Sequence, residues 1–228
     1  MSDRAGVTVR RAYASENLGT RLHLALRWHT CPFAAVEELV PRDGDVLDAG
    51  CGHGLFTIYL ALTGPGRRVL GADIDDDKLA IARRAAVTAG VADRVEFRRV
   101  DANWRPSDRD GGPTGPWDSV VEIDMLYLVG RARASAWVAG AAAALRPGGR
   151  VVVKELDVVP VWKARWSRFQ EVLATRVLRI TEGEELELIP CGDVVDVMCS
   201  AALDVTTRRL DRARLHPHYA AVGTRRAP

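Results

Sequence analysis

The stretch Asp45-Val-Leu-Asp-Ala-Gly-Cys-Gly-His-Gly54 constrains this chain more than any other. A short apolar run, Val46 and Leu47, ends in a carboxylate, Asp48. Glycines follow at alternate positions, Gly50, Gly52 and Gly54, and a helical pattern then runs from Leu55 to Leu62. That order reads as strand, tight glycine loop, helix. Glycine lets the backbone turn sharply and lets a ligand approach the main chain closely. Free N–H groups at the helix start favour a ligand carboxylate or a hydroxyl acceptor.

The spacing narrows the ligand. Dinucleotide loops read G-x-G-x-x-G, whereas this one reads G-x-G-x-G, with the third glycine one residue early. Asp48 at the loop entrance would repel a pyrophosphate and attract an ammonium group. S-adenosylmethionine carries an ammonium, a carboxylate and no phosphate. The segment Val46-Leu-Asp-Ala-Gly-Cys-Gly-His-Gly54 resembles motif I of the class I S-adenosylmethionine-dependent methyltransferases.

Length and composition fit one domain. The chain of 228 residues suffices for one α/β domain with a full core, and 47% hydrophobic with 27% charged residues is ordinary for a soluble globule. A net charge of +2 does not by itself point to nucleic acid. Cys31, Cys51, Cys191 and Cys199 form no CxxC pair and read as free thiols of a reducing cytosol. No apolar run approaches the ~20 residues of a membrane span, and the first residues lack a signal-peptide core. A cytoplasmic protein is expected.

Residues 1–17 are polar and ambiguous. From Leu18 to Val40 the pattern is helical, with Leu22, Leu26, Phe33 and Val36 expected on one face and a break at Pro32. Strands are expected at 67–73, 94–100 and 150–155, with 117–127 as a further strand plus its exit loop and helices at 76–89 and 131–145. Asp75, Asp76 and Asp77 suit the N-terminus of the 76–89 helix. Residues 105–116 read as a turn-rich loop. Trp162, Trp166, Phe169, Leu173, Val177 and Ile180 keep one apolar face over 160–180. A charged loop at 181–192, a short helix at 193–202 and a closing hairpin at 203–210 and 219–225 complete the chain.

Two further segments carry the resemblance: Trp117-Asp-Ser-Val-Val-Glu-Ile-Asp124 resembles motif IV, and Leu145-Arg-Pro-Gly-Gly-Arg-Val-Val-Val the segment after it. The resemblance implies one Rossmann-like, doubly wound α/β domain over 1–228. Its sheet of seven strands would have the order 3-2-1-4-5-7-6, the last antiparallel. Residues 1–44 would form a helical cap, and 158–202 a helical region over the acceptor site. Asp73, 19 residues after Gly54, would take the ribose hydroxyls, with Ile74 beside it. Asp101 and Ala102 would meet the adenine. Asp48, Gly50, Cys51, Gly52, Gly54 and Glu122 would complete the cofactor site. Arg21, His23, Arg27 and His29 read more readily as a solvated helix face than as substrate contacts.

Methyl transfer from a sulfonium is an in-line displacement, so positioning dominates. An acidic acceptor needs at most a general base. The candidates are His216, His218, Asp124 and Glu155; the two histidines stand where an antiparallel last strand begins. No metal is expected, because the Asp-Asn pair of metal-dependent relatives is absent near Lys154, Glu155 and Asp157. The missing Asn/Asp-Pro-Pro-Tyr sequence points away from nucleic-acid bases. The expected function is O- or C-methylation of a small molecule such as a lipid, polyketide or other secondary metabolite. The rivals are an NAD-dependent oxidoreductase, an RNA or protein methyltransferase, and a cofactor-binding partner protein without turnover.

Overall fold

The computed structural model describes residues 2–108, 112–113, 115–158, 188–211 and 216–227. Its strands are Asp43–Ala49 (β1), Gly66–Asp73 (β2), Val95–Arg99 (β3), Trp117–Ile123 (β4), Leu145–Leu156 (β5), Leu203–Arg209 (β6) and His218–Arg225 (β7). They form one sheet in the order β3-β2-β1-β4-β5-β7-β6, as expected from the resemblance. β7 alone runs antiparallel to its neighbours β5 and β6. Parallel strands are covered on both faces, which is why β1 and β5 read as apolar runs rather than as alternation. Successive residues therefore enter different cores: Val46 packs on one side of the sheet and Leu47 on the other.

One face carries the helices Ser2–Arg11 (α1), Leu18–Thr30 (α2), Phe33–Glu37 (α3), Leu55–Thr63 (α4) and Asp76–Ala89 (α5). The opposite face carries Arg131–Ala143 (α6) and Cys191–Ser200 (α7). α5 starts where the sequence says: Asp75 accepts from Lys78 N at 3.0 Å, and Asp76 and Asp77 complement the helix dipole. α2 is capped by Asn17, which accepts from Thr20 N at 2.9 Å.

Several expectations are corrected. The polar first segment is helical, because Ala5, Val9 and Ala12 recur at helical spacing and are buried. Leu22 and Leu26 do not share a buried face with Phe33 and Val36. They are 69% and 62% exposed, and Leu24 is the buried leucine of α2. The helix stops at Thr30 and restarts at Phe33, so Pro32 resets the phase of the pattern. β5 begins at Leu145, ahead of Pro147-Gly-Gly149, with a register shift against β4 between Trp117 and Ser119 absorbing the irregularity. The expected helix over 160–180 lies outside the described residues.

At the end of the sheet away from the strand tips, Arg67 is fully buried. Its guanidinium donates to the carbonyls of Val40 (2.7 Å), Pro41 (2.6 Å) and Leu60 (3.0 Å) and to Thr63 Oγ1 (3.0 Å). Glu37 pairs with it at 2.9 Å. Segments flanking β1, α3 and α4 are thereby tied at one point. Among the described residues, no helix is long and apolar enough to cross a membrane.

Candidate cofactor and acceptor site

A cavity of about 1130 Å³ opens at the carboxyl ends of β1, β2 and β4, beneath α2. This is where the crevice of an open α/β sheet is expected. The glycine loop forms its floor. Gly50 and Cys51 donate their N–H groups to the Ala72 carbonyl at 2.8 and 3.1 Å, and Gly52 N donates to Asp73 Oδ2 at 2.7 Å. The loop is thereby stitched to the end of β2. Gly52 has φ +54°, and no atom lies within 4 Å of where a Cβ would stand, so this position leaves room for a ligand. At Gly54, φ +78°, a Cβ would stand 2.9 Å from Ala82 Cβ and the Phe97 ring.

Asp48 is buried and accepts from Thr57 Oγ1, on α4, at 2.5 Å. Burial pushes its pKa up to about 7, against the lowering effect of Thr57, with the charge of Asp73 adding to the rise. Asp73 is also raised, chiefly by burial. Its second oxygen accepts from Asp75 N at 3.0 Å, leaving each oxygen with a further lone pair. Ile74, 42% exposed, lines the cavity together with Asp101 and Ala102. His53 in the loop and His23 of α2 bring their rings to 5.6 Å. Burial lowers the His53 pKa to about 4. Tyr13 donates to the His53 carbonyl at 2.8 Å, joining the N-terminal segment to the loop.

The residues expected as bases stand differently. Asp124 lines the cavity, with φ +57°, a strained value for a residue with a Cβ. It is not an available base. Burial would raise its pKa, but Lys154 Nζ at 2.5 Å and Arg27 at 2.6 Å overcome that and hold it well below the usual carboxylate range. Glu122 and Glu155 turn to the other face of the sheet. Glu122 Oε1 accepts from Met125 N at 2.5 Å, and Glu155 Oε1 from Leu126 N at 2.6 Å. They pin the 3-10 turn Leu126–Leu128 and do not line the cavity. Burial lifts Glu155 to about 8 and Glu122 well above its usual value, each made worse by a neighbouring carboxylate. Their Oε2 atoms meet no hydrogen-bond donor among the described residues, which suits a proton retained between the two. His218 is buried with Nε2 3.1 Å from the Thr30 carbonyl, and its ring lies 5.7 Å from that of His216. Neither histidine is among the described residues that line this cavity, and His218 braces the end of α2.

Two contributors, Lys154 and Thr57, escaped the sequence reading, and Arg27, which reads there as a solvated helix face, lines the cavity instead. Lys154 left a trace, since a single charge inside Val151-Val-Val-Lys154 must find a buried partner. Thr57 left none, because its distance along the chain from Asp48 has meaning only once α4 folds back on β1.

A family profile described as a methyltransferase domain matches residues 46–149. The release factor glutamine methyltransferase of Chlorobaculum tepidum is 45% identical over 69 residues, 30% of this chain and 24% of that protein. Tuberculostearic acid methyltransferase of Mycobacterium tuberculosis is 29% identical over 79% of this chain and 38% of its own length. Demethylmenaquinone methyltransferase of Thermus thermophilus is also 29% identical, over 78% of this chain and 80% of that protein. The chain spans well under half the length of the first two of these relatives. Among solved structures, an O-methyltransferase family protein from Burkholderia thailandensis superposes with TM-score 0.70 at 21% identity, covering 91% of this chain and 57% of that one. Magnesium protoporphyrin IX methyltransferase from Synechocystis, solved with bound SAH (S-adenosylhomocysteine), gives 0.66 at 18% identity over 96% and 93%. At such identities the structures speak for the fold alone. With the strand order and the glycine loop after β1 in agreement with the matched segment, residues 46–149 carry a methyltransferase domain of the class I S-adenosylmethionine-dependent type.

Proposed function

We propose that this protein transfers the methyl group of S-adenosylmethionine to a small-molecule acceptor. One observation carries the proposal. A single cavity of about 1130 Å³ joins the acidic tips of β1 and β2 to the cation Arg27 beside β4. Pockets that hold one drug-sized ligand run to about 300–1,000 Å³, so this cavity has room for donor and acceptor side by side. Relatives named for tuberculostearic acid and demethylmenaquinone support a small, largely apolar acceptor.

The residues fit this cofactor. Asp48 is a buried carboxylate that accepts from a neutral hydroxyl, so a ligand ammonium nearby would favour its ionised form. Asp73 keeps lone pairs for the ribose hydroxyls. Ile74 offers an apolar surface to the adenine, with Asp101 and Ala102 at its polar edge. Gly50, Cys51, Gly52 and Gly54 shape the loop beneath the methionine moiety. When bound, S-adenosylmethionine supplies a methyl group on a cationic sulfur, which leaves as a neutral thioether. With Asp124 paired, Glu155 on the far face and His218 directed at Thr30, the chain contributes position and electrostatics rather than a strong base. Cys51, Cys191 and Cys199 are free thiols, which suits the reducing cytoplasm where we place the protein.

Thermal unfolding tests the proposal. S-adenosylhomocysteine at a hundred times its Kd should stabilise by about 2.7 kcal/mol, about 5–10 °C in Tm for a chain of this size. NADH should not. A shift with NADH alone would restore the dinucleotide alternative. Incubation of a cell extract with radiolabelled S-adenosylmethionine should yield a labelled small molecule. Stabilisation without any labelled product would mark a cofactor-binding partner instead of an enzyme.

A further inference from the structure

The charge around Asp124 bears on the class of acceptor, and the inference rests on the methyltransferase function proposed above. Arg27, in the last turn of α2, donates from NH1 to Asp124 Oδ2 at 2.6 Å and from NH2 to the Ile123 carbonyl at 3.3 Å. Lys154, fully buried, donates from Nζ to Asp124 Oδ1 at 2.5 Å. One carboxylate therefore serves two cations, and the cluster retains one positive charge. Among the described residues, the other groups nearby do not cancel it. Asp48, on the same face, would be balanced by the cofactor's own cationic charge. Glu122 and Glu155 lie on the opposite face, bound to backbone N–H groups. His216 and His218 approach from β7, and Tyr127 from the 3-10 turn.

An unbalanced charge held away from water is costly, and an anion beside it relieves the cost. Only one of the two cations can reach that anion. Lys154 is sealed, whereas the Arg27 side chain is 32% exposed and lines the cavity. Two of its five N–H groups are used by Asp124 and Ile123. Phe33 lies under the guanidinium, 5.9 Å from ring centroid to Cζ, and limits its movement. The planar fork matches an oxyanion, and its charge does not depend on pH in the working range.

We propose that the acceptor is an acid bound as its oxyanion, a carboxylate or phenolate, against the outer N–H groups of Arg27. Lys154 and Asp124 are positioning residues that hold the guanidinium toward the cavity. The acid gives its proton to water on binding. A lone pair of the oxyanion then forms the O–C bond to the methyl group as the C–S bond breaks, its electrons staying on sulfur. The product ester or ether and the thioether are both neutral, and no proton remains for the protein to remove. The imidazoles of His23 and His53, which also line the cavity, are then not required as bases.

The test uses the whole chain saturated with S-adenosylhomocysteine and titrated calorimetrically with octanoate, octanamide, benzoate and benzamide. At least one carboxylate should bind about tenfold or more tightly than its amide, as for a charge-assisted hydrogen bond. Arg27→Gln should erase that preference while leaving S-adenosylhomocysteine affinity within about threefold, and Arg27→Lys, which keeps the charge, should retain part of it. Equal binding of acid and amide, binding of neither carboxylate, or a preference that survives in Arg27→Gln would overturn the proposal. So would a loss of S-adenosylhomocysteine affinity in Arg27→Gln, which would put Arg27 on the cofactor's own carboxylate. Failure of the unaltered protein to bind S-adenosylhomocysteine would instead refute the methyltransferase function itself.

Discussion

Asp48→Asn should make the unliganded protein more stable and a poorer cofactor binder. Burial raises the Asp48 pKa from 3.8 to about 7 in the fold. The folded state then keeps a proton that the unfolded chain releases near pH 4. Stability attributable to this residue therefore falls as pH rises from about 4 to about 7, and levels off above that. A difference of about three pH units corresponds to at most about 4 kcal/mol. Asparagine keeps an oxygen for the Thr57 hydroxyl without the charge, so about 2–4 kcal/mol should be regained at pH 8 and nothing at pH 4. Glu122, Glu155 and Asp73 are raised too and slope the same way. The quantity to read is thus the difference between variant and parent in urea unfolding at pH 4.5, 6 and 8. Calorimetry with S-adenosylmethionine, whose sulfonium is cationic, should show the opposite effect, a loss of affinity in the variant. An Asp48→Asn protein that is less stable than the parent at pH 8, or equally pH-dependent, would refute the argument from burial.

Two other substitutions probe the same loop. Asp73→Ala should weaken S-adenosylhomocysteine by ~1–3 kcal/mol by calorimetry, through the lost ribose contact and the unanchored Gly52 N–H; unchanged affinity would remove Asp73 from the ribose role. Gly54→Ala should cost ~1–3 kcal/mol in denaturant unfolding, because its Cβ would meet Ala82 and Phe97 at 2.9 Å on a backbone with φ +78°. A neutral result would mean that Phe97 can yield.

Much of the sheet was readable because parallel strands announce themselves locally. Val46-Leu47, Val120-Val121 and Val151-Val-Val153 are unbroken apolar pairs and triplets, and the first two are each followed at once by an acidic residue, Asp48 and Glu122. Asp48, Asp73 and Asp101 line the cavity because position along a strand determines which end a residue occupies. What sequence could not give was the face. Glu122 and Asp124 are two residues apart in the chain, yet a kink at a positive φ sends Asp124 toward Arg27 while Glu122 points to the other side. His218 was assigned to the correct end of the sheet, but only the packing of α2 reveals that its ring meets Thr30 first. The N-terminal helices were hardest, since their partners lie 40 to 100 residues away: Tyr13 with His53, and Arg27 with Asp124.

The knot of acceptors around Arg67 has a consequence for how such a chain can change. It fastens segments near Val40, Leu60 and Thr63 at the pole of the sheet opposite the cavity. Tolerance to mutation and choice of acceptor therefore depend on largely separate sets of residues. Redesign of α2 or the 3-10 turn for a new acceptor can proceed while that distant anchor keeps the scaffold closed, and damage done at one pole can be repaired at the other.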